Sequence, residues 1–345
     1  MMAKAMADEG LQLTHIIGPA TAHQYEPHAK QEISRRIDAI AERGRDPLPA
    51  RVRFTTWTLR YNQMFWVTVD GLEEHWERAR VDAKIASTDR IDVKTKNISA
   101  LTLSMPSGSC PLDSLKQSMI MIDGKNVTAP HVESDRSWTA RLEKRSGSWQ
   151  IANTPAVAGL RKQHGLQGPI DDAFMDSFIM VSPTGTAMNP KVGAWAAAEE
   201  RHAIDHWRRQ FRGEARVKTD DQITEDDIAS NNLVLWGDPK SNKILGKIAD
   251  QLPVHWNEKG VNSGTNIFSA EHCVPVMIYP NPLNPKHYVV VNSGFTFREY
   301  DYLSNARQVP KLPDYAVIDL DTPPSPRAPG KIVDAGFFDE QWKLK

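Results

Sequence analysis

Residues 233–245 are the stretch that most constrains what this chain can fold into. The stretch opens with the apolar run 233–236, which is typical of a strand buried on both faces. Gly237 and Pro239 then interrupt the strand, because glycine tolerates left-handed φ values and proline lacks the N–H that a sheet needs. Apolar residues recur at helical spacing beyond Ser241 and predict a helix that packs back on the strand.

A strand, a tight loop and a helix N-terminus form the unit from which open α/β sheets are built, and ligands often bind at such loops. Most such loops are only connections, so this one marks a place for function without naming the function. Two more loops follow apolar runs, at 182–186 and 292–296. If the three strands are parallel neighbours, the loops share one edge of the sheet. The predicted polar ligand site there comprises Thr184, Thr186, Asp238, Ser241, Asn242 and Ser293. Hydroxyl and amide side chains also serve turns and helix caps, which is the alternative explanation.

The 345 residues predict more than one domain, and the fold class is α/β plus all-β. Residues 1–46 contain an alternating run at 11–17 that predicts a strand, then a loop, then a helix that starts near Pro27. Residues 47–160 contain short strands with frequent turns, which indicates a β-sandwich. Asp123-Gly124 and Ser146-Gly147 lie between strand pairs and predict hairpin turns. Residues 161–345 alternate strands with helices and predict a three-layer, Rossmann-like α/β domain with a mostly parallel sheet. Thr224 and Asp227 have the spacing of a capping box at the start of a helix, with Asp in place of Glu.

Charge and hydropathy exclude some partners. The net charge of −1 gives no electrostatic basis for binding nucleic acid or an anionic membrane. No apolar run approaches the roughly 18 residues of a membrane span. The N-terminal residues lack the apolar core of a secretory signal, so we expect the chain as written to stay in the cytoplasm.

Two groups of side chains have the composition of a metal site. They are the helical set Glu199, His202, His206 and the acidic set Asp171, Asp172, Asp176. The helical set lacks a strong fourth ligand, and the acidic set is better explained as a loop that caps a strand. Cys110 and Cys273 are far apart and in no metal-ligand spacing, which excludes a disulfide framework but not a single bridge. We therefore predict neither a metal nor a cofactor.

Residues 18–27, Gly-Pro-Ala-Thr-Ala-His-Gln-Tyr-Glu-Pro, and the helix that follows resemble the end of an α/β-hydrolase domain. The similarity is to the prolyl-oligopeptidase-like (S9-type) peptidases and esterases of environmental bacteria. In that family the loop after the last strand carries the histidine of the catalytic triad, and His23 matches it. Residues 51–61, 165–186, 232–242 and 276–294 resemble the long C-terminal extension of the same proteins.

The resemblance implies a serine-type hydrolase of ester, lactone or peptide bonds, with His23 as the general base. The nucleophile elbow, G-x-S-x-G, and the triad acid are expected upstream of His23, and the sequence contains no such motif. We therefore expect the C-terminal part of a hydrolase whose parent protein could be exported. A chain active by itself would need another nucleophile, for which Ser182, Ser241 and Ser293 are candidates by position.

The alternative function is that of a non-catalytic accessory module that binds a polar polymer or a protein partner. For a hydrolase, the substrate would be a small molecule or a polymer. Residues 1–46 also predict a contact with another surface, because one strand and one helix cannot bury a core alone. Ile33, Ile37 and Ile40 form an apolar stripe on the predicted helix, and a homodimer through this segment would cover it.

Overall fold

The computed structural model describes residues 1–152 and 159–345, so the end of the predicted sandwich at 153–158 lies outside the described residues. The chain divides into two compact units, Met1–Pro49 and Ala50–Lys345. The α-helices of the described residues are α1 (Met2–Asp8), α2 (Pro27–Arg43), α3 (Pro190–Phe211), α4 (Glu225–Ser230) and α5 (Lys243–Ile248). Their strands are β1 (Arg51–Thr56), β2 (Gln63–Met64), β3 (Val67–Leu72), β4 (Ala79–Ser87), β5 (Arg90–Lys96), β6 (Ile98–Met105), β7 (Met119–Ile122), β8 (Lys125–Thr128), β9 (Trp138–Arg145), β10 (Ser148–Ile151), β11 (Phe178–Ser182), β12 (Val217–Thr219), β13 (Asn232–Leu235), β14 (His255–Asn257), β15 (Gly260–Ser263), β16 (Asn266–Phe268), β17 (Cys273–Asn281), β18 (Asn284–Val291), β19 (Tyr315–Asp319) and β20 (Lys331–Gly336).

The smaller unit, Met1–Pro49, consists of α1, α2 and irregular chain. The predicted helix α2 starts at Pro27, where the side chain of Glu26 accepts a hydrogen bond from the N–H of Ala29 at 2.8 Å. The predicted strand at 11–17 is wrong, since these residues form no regular structure. An alternating run becomes a strand only where a neighbouring strand accepts its hydrogen bonds, and the described residues of this unit contain none. Ile37 and Ile40 on α2 are 58% and 57% exposed.

Ala50–Lys345 begins with two five-stranded sheets, in the orders β1-β4-β5-β7-β8 and β10-β9-β6-β3-β2. Both sheets bury alternate side chains, which is the pattern of sheets that share an apolar core. Two predicted hairpin turns are confirmed, at Asp123-Gly124 between β7 and β8 and at Ser146-Gly147 between β9 and β10. The φ values are 48° and 81° in the first turn and 47° and 76° in the second, as a type I′ turn requires.

A seven-stranded mixed sheet follows, in the order β12-β11-β13-β18-β17-β19-β20. The predicted mostly parallel sheet is wrong. The pairings from β12 to β18 are parallel, whereas those from β18 to β20 are antiparallel. The cause lies in the two-residue connection between β17 and β18, because so short a turn permits only antiparallel pairing.

The helices of the mixed-sheet region, and the cap of one of them, agree with the patterns in the sequence. Helix α3 connects the parallel strands β11 and β12, and both α3 and α5 bury apolar residues in the same core as the sheet. Thr224 and Asp227 form the predicted capping box at the start of α4. The small antiparallel sheet β14-β15-β16 lies between α5 and β17 in the chain and was not predicted.

Polar contacts join the first two sheets to the mixed-sheet region inside Ala50–Lys345. The ring Nδ1 of His164 lies 2.8 Å from the carbonyl oxygen of Leu59. Nδ1 of His75 lies 2.8 Å from Oε2 of Glu340. These contacts, spread over distant parts of the chain, are consistent with one compact unit.

None of the helices in 1–152 and 159–345 combines the length and apolar character needed to cross a bilayer.

Candidate functional site

The three predicted loops do lie at one edge of the mixed sheet. Strand β11 pairs with β13, and β13 pairs with β18, in both cases in parallel. The loops at 182–186, 237–242 and 292–296 follow the carboxyl ends of these strands. This is the edge at which open α/β sheets bind ligands.

Asp238 is fully buried, and its carboxylate is occupied by backbone donors. Oδ1 accepts from the N–H of Lys240 at 3.0 Å and of Ser241 at 2.9 Å, and Oδ2 accepts from the N–H of Met188 at 2.8 Å. The carboxylate therefore ties the loop after β13 to the segment that leads into α3. Its hydrogen-bonding capacity is used within the protein.

Asn242 is the N-cap of α5. Its Oδ1 accepts from the N–H groups of Ile244 and Leu245, each at 3.1 Å, and its Nδ2 donates to the carbonyl oxygens of Val181 and Trp236. One side chain thus links the end of β11, the residue after β13 and helix α5.

The other predicted site residues differ in exposure. Thr184 and Thr186 are exposed, and Oγ1 of Thr184 donates to Asp220 at 2.7 Å. Ser293 is buried. The edge therefore presents the two threonines to solvent, while Asp238, Ser241 and Asn242 hold its shape.

No serine–histidine pair forms at the three candidate nucleophiles within the described residues. Ser182 donates to the carboxylate of Glu200, Ser241 to the carbonyl oxygen of Asp238, and Ser293 to that of Gly294. His23 lies in the exposed loop before α2 and forms no side-chain hydrogen bond within residues 1–49.

The three helical candidates for metal binding on α3 each have a different protein partner. The guanidinium of Arg298 donates to both carboxylate oxygens of Glu199, at 2.7 and 3.3 Å. His202 Nε2 lies 2.7 Å from Glu299, and His206 Nδ1 lies 2.6 Å from the hydroxyl of Tyr302. Burial, together with the nearby His202, lowers the pKa of His206 to about 4. The three side chains therefore join this face of α3 to the turn that contains Arg298, Glu299 and Tyr302.

Asp171 and Asp172 are buried and also have protein partners. Asp171 accepts from the N–H of Thr296 at 3.1 Å and from its hydroxyl. Asp172 accepts from the hydroxyl of Tyr288 at 2.8 Å, and Arg60 lies 3.6 Å from its other oxygen. Burial raises the pKa of each carboxyl to about 6.

Sequence reasoning missed a polar cleft of about 450 Å³ beside the sheet β10-β9-β6-β3-β2. Asp70 of β3, Thr102 of β6 and Arg141 of β9 line it from adjacent strands. The register shifts around Asp70, and such a bulge redirects a side chain. The hydroxyl of Thr102 donates to Asp70 at 2.6 Å. No single stretch of sequence marks this cleft, because its residues come together only through strand order.

Arg161 enters the same cleft across the backbone of Gly71. A Cβ at residue 71 would lie 2.5 Å from Nη2 of Arg161, so glycine allows the guanidinium to approach. Nη2 donates to Oγ of Ser99 at 2.9 Å. Neither Arg141 nor Arg161 forms an ion pair within 4.0 Å anywhere in the described chain. Gln163 and His164 form the wall between this cleft and a second one of about 370 Å³.

One group of three possible metal ligands lies close together in 1–152 and 159–345, namely His272, Cys273 and Asp319. It belongs to none of the sets predicted from the sequence.

No protein-family model matches this chain, and neither a curated protein nor a solved structure matches it.

Proposed function

We propose that Ala50–Lys345 is a non-catalytic module that binds a polar polymer carrying carboxylate groups, such as an acidic polysaccharide. The observation that carries this proposal is the pair of guanidinium groups, Arg141 and Arg161, which line an open cleft and have no ion pair among the described residues. Unpaired arginines at a concave surface are available to an anionic ligand.

The chemistry of the cleft favours a carboxylate together with hydroxyl groups. Arginine offers a planar fork of donors that matches a carboxylate in two parallel hydrogen bonds. Asp70 is the acidic neighbour that both arginines share. Glu143, the other carboxylate in the lining, is paired with Arg145, so the two cleft arginines exceed the one carboxylate that remains for them. Asn62 and Gln163, also in the lining, can donate to and accept from hydroxyl groups.

The size of the cleft agrees with this ligand class. A volume of about 450 Å³ lies within the range of small-molecule sites. The second cleft, beyond His164, would allow a polymer to continue past the first.

We expect Arg141→Ala and Arg161→Ala each to weaken binding of polygalacturonate by about 10- to 100-fold, because each removes charge-assisted hydrogen bonds. Affinity electrophoresis and calorimetry would measure this, with dextran as the uncharged polymer. Arg208→Ala removes an exposed guanidinium from α3 and serves as the matched control. Equal binding of dextran, or unchanged affinity in both cleft variants, would refute the proposal.

A second candidate function rests on His23, which is exposed in its loop before α2 and has no side-chain hydrogen bond within residues 1–49. We propose that this histidine is the general base of a serine-type hydrolase of ester, lactone or peptide bonds, whose nucleophile lies in a further part of the protein. In that protein the first two sheets would form an accessory β-sandwich and the mixed-sheet region a three-layer α/β domain. An in-frame G-x-S-x-G in the coding DNA upstream of Met1 would support this assignment, and its absence would count against it.

We expect this chain alone to hydrolyse an activated ester no faster than buffer, because its candidate serines donate to acceptors other than histidine. A chromogenic acetate ester and a serine-reactive phosphonate probe would measure turnover and labelling. Turnover that fell about 10²–10⁴-fold in His23→Ala, but not in the exposed control His28→Ala, would show that the chain contains its own nucleophile. Turnover that survived His23→Ala would remove this histidine from the mechanism.

A further inference from the structure

His272, Cys273 and Asp319 converge where two antiparallel strands of the mixed sheet meet. Cys273 is the first residue of β17 and is paired in register with Asp319, the last residue of β19. One ligand atom from each of the three side chains lies within 4.8 Å of the others. The cysteine is buried, whereas the histidine and the aspartate are half-buried and leave a path from solvent.

We propose that His272, Cys273 and Asp319 bind a single Zn²⁺ ion, with solvent at the fourth position. Zn²⁺ takes thiolate, imidazole and carboxylate ligands in a tetrahedron, and sites with three protein ligands keep one open position. Bonds of about 2.0–2.3 Å place the ligand atoms of such a tetrahedron roughly 3.3–3.8 Å apart. The ligand atoms lie within 4.8 Å of one another, so they must approach by no more than about 1.5 Å to reach these separations.

The choice of zinc follows from the ligand types. A thiolate and an imidazole favour borderline-soft transition metals, whereas Mg²⁺ and Ca²⁺ prefer oxygen ligands throughout. Co²⁺ takes the same ligands and geometry and is therefore a suitable spectroscopic probe.

The three side chains are free to bind a metal, unlike the set on α3. Cys273 is a free thiol. His272 forms no side-chain hydrogen bond in the described residues. The carboxylate of Asp319 accepts from the N–H of Asp321 at 2.9 Å, which fixes its orientation and leaves one oxygen open. A partner of this kind, behind the ligand, is usual in metal sites.

The backbone holds the histidine beside the aspartate. The carbonyl oxygen of His272 accepts from the N–H of Leu320 at 2.8 Å. Close by, Asn189 at the start of α3 donates to the carbonyl oxygen of Glu271 at 2.9 Å. The backbone beside the ligands is therefore held in place before any metal arrives, which reduces the entropic cost of binding.

The charge around the site also favours a cation. Asp319 and Asp321 both lie near the sulfur of Cys273, and Lys191 is the cation that approaches it. Lys191 forms an ion pair with Asp321. Asp319 has no ion pair among the residues described. A divalent ion would supply the missing positive charge.

The site lies at the same edge of the sheet as the loops after β11, β13 and β18. Strand β17 runs antiparallel to β18, so its first residue lies towards the carboxyl end of β18. Strand β19 runs antiparallel to β17 and ends at that edge. A metal here would stand at the edge where α/β sheets bind ligands, well separated in the chain from the arginine cleft.

The test is metal titration of the full chain after dialysis against a chelator. We expect one equivalent of Co²⁺ to produce a thiolate-to-cobalt charge-transfer band in the near ultraviolet, and Zn²⁺ to abolish the band by displacement. Cys273→Ser should lose the band. His272→Gln and Asp319→Asn should each weaken Zn²⁺ binding by at least about 10- to 100-fold, the loss seen even for residues behind the ligands.

Cys110→Ser is the matched control, because it removes the other free, buried thiol and should keep the band. The half-buried His272→Gln decides the question if Cys273→Ser fails to fold, as circular dichroism would show. Absence of the band in the wild-type protein, its loss in Cys110→Ser, or its survival in Cys273→Ser would overturn the proposal. Zn²⁺ affinity unchanged in His272→Gln would do the same.

Discussion

Replacing Lys162 with Met is expected to lower the free energy of unfolding by about 3–5 kcal/mol. Lys162 Nζ lies 2.6 Å from Oδ2 of Asp314, and both side chains are fully buried. Removing the ammonium leaves a carboxylate in the core without its counter-ion, which costs far more than losing an exposed pair. Nζ also lies 5.1 Å from the ring centroid of Trp342, so the substitution removes a cation–π contact as well.

The surroundings of Asp314 offer its carboxylate little space and few other hydrogen-bond donors. A Cβ at Gly168 would lie 2.2 Å from Oδ1 of Asp314, so the packing there is tight. That oxygen has no hydrogen-bond partner among the described residues, and Oδ2 also accepts from the N–H of Phe338 at 3.0 Å. Asp314→Asn keeps an acceptor for Phe338 and removes the charge. The double variant Lys162→Met/Asp314→Asn should therefore be more stable than Lys162→Met alone.

Guanidinium unfolding, monitored by tryptophan fluorescence, would measure these changes. Lys345→Met is the matched control, because Lys345 binds Glu74 at 2.7 Å while both side chains are largely exposed. That exposed pair should contribute no more than about 1 kcal/mol. A loss in Lys162→Met as small as the loss in the control would contradict the prediction.

The second large effect is on the pH dependence of stability. The pKa of Asp171 is raised from 3.8 to about 6, chiefly by burial. Between these values the folded protein binds a proton that the unfolded chain has released, so stability falls as pH rises from about 4 to about 6. The group lowers the free energy of unfolding by about 3 kcal/mol over that interval. Asp172, with the same pKa and the same main cause, acts in the same direction.

His206 acts in the opposite direction. Its pKa is lowered from 6.5 to about 4, so the unfolded chain binds the extra proton between these values and stability rises with pH. The wild-type profile is therefore a sum of opposing contributions, and a comparison of variants is needed to separate them.

We expect the stability of Asp171→Asn, relative to the wild-type protein, to increase by about 3 kcal/mol between pH 4 and pH 6. Urea unfolding at several pH values would measure it, and the contribution of His206 cancels in the difference. Asp226→Asn, which removes an exposed carboxylate from α4, is the control and should show little change. A flat difference for Asp171→Asn would mean that its carboxyl titrates alike in the folded and unfolded protein.

Local features of this fold could be read from the sequence because short-range chemistry determines them. The turns at 123–124 and 146–147, the capping box of α4 and the start of α2 each depend on a few adjacent residues. The direction of a strand depends instead on which strand lies beside it. Whether an alternating run forms a strand also depends on a neighbouring strand, which the run at 11–17 lacks in the described residues of its unit. The antiparallel half of the mixed sheet was missed because strand direction is set by pairing between distant residues.

The candidate sites likewise differ in whether adjacent residues or strand pairing determines them. The three loops at the sheet edge were located because each follows an apolar run. The arginine cleft depends on the order of β3, β6 and β9, and the zinc site depends on the pairing of Cys273 with Asp319. The adjacent pair His272-Cys273 was the one local signal of the zinc site, and it was not recognised because its third ligand lies on another strand.

The two ends of the mixed sheet have a consequence for how the protein behaves at high concentration. At one end β12 is only three residues long, too short to template another chain. At the other end, Ser263 and Asn266 of the small sheet hydrogen-bond Asp334 of β20, whose pairing with β19 also contains a bulge. Irregular, charged or covered edges resist the strand-to-strand joining that begins aggregation. The mixed sheet should therefore not join edge to edge with that of another molecule unless the sheet itself comes apart.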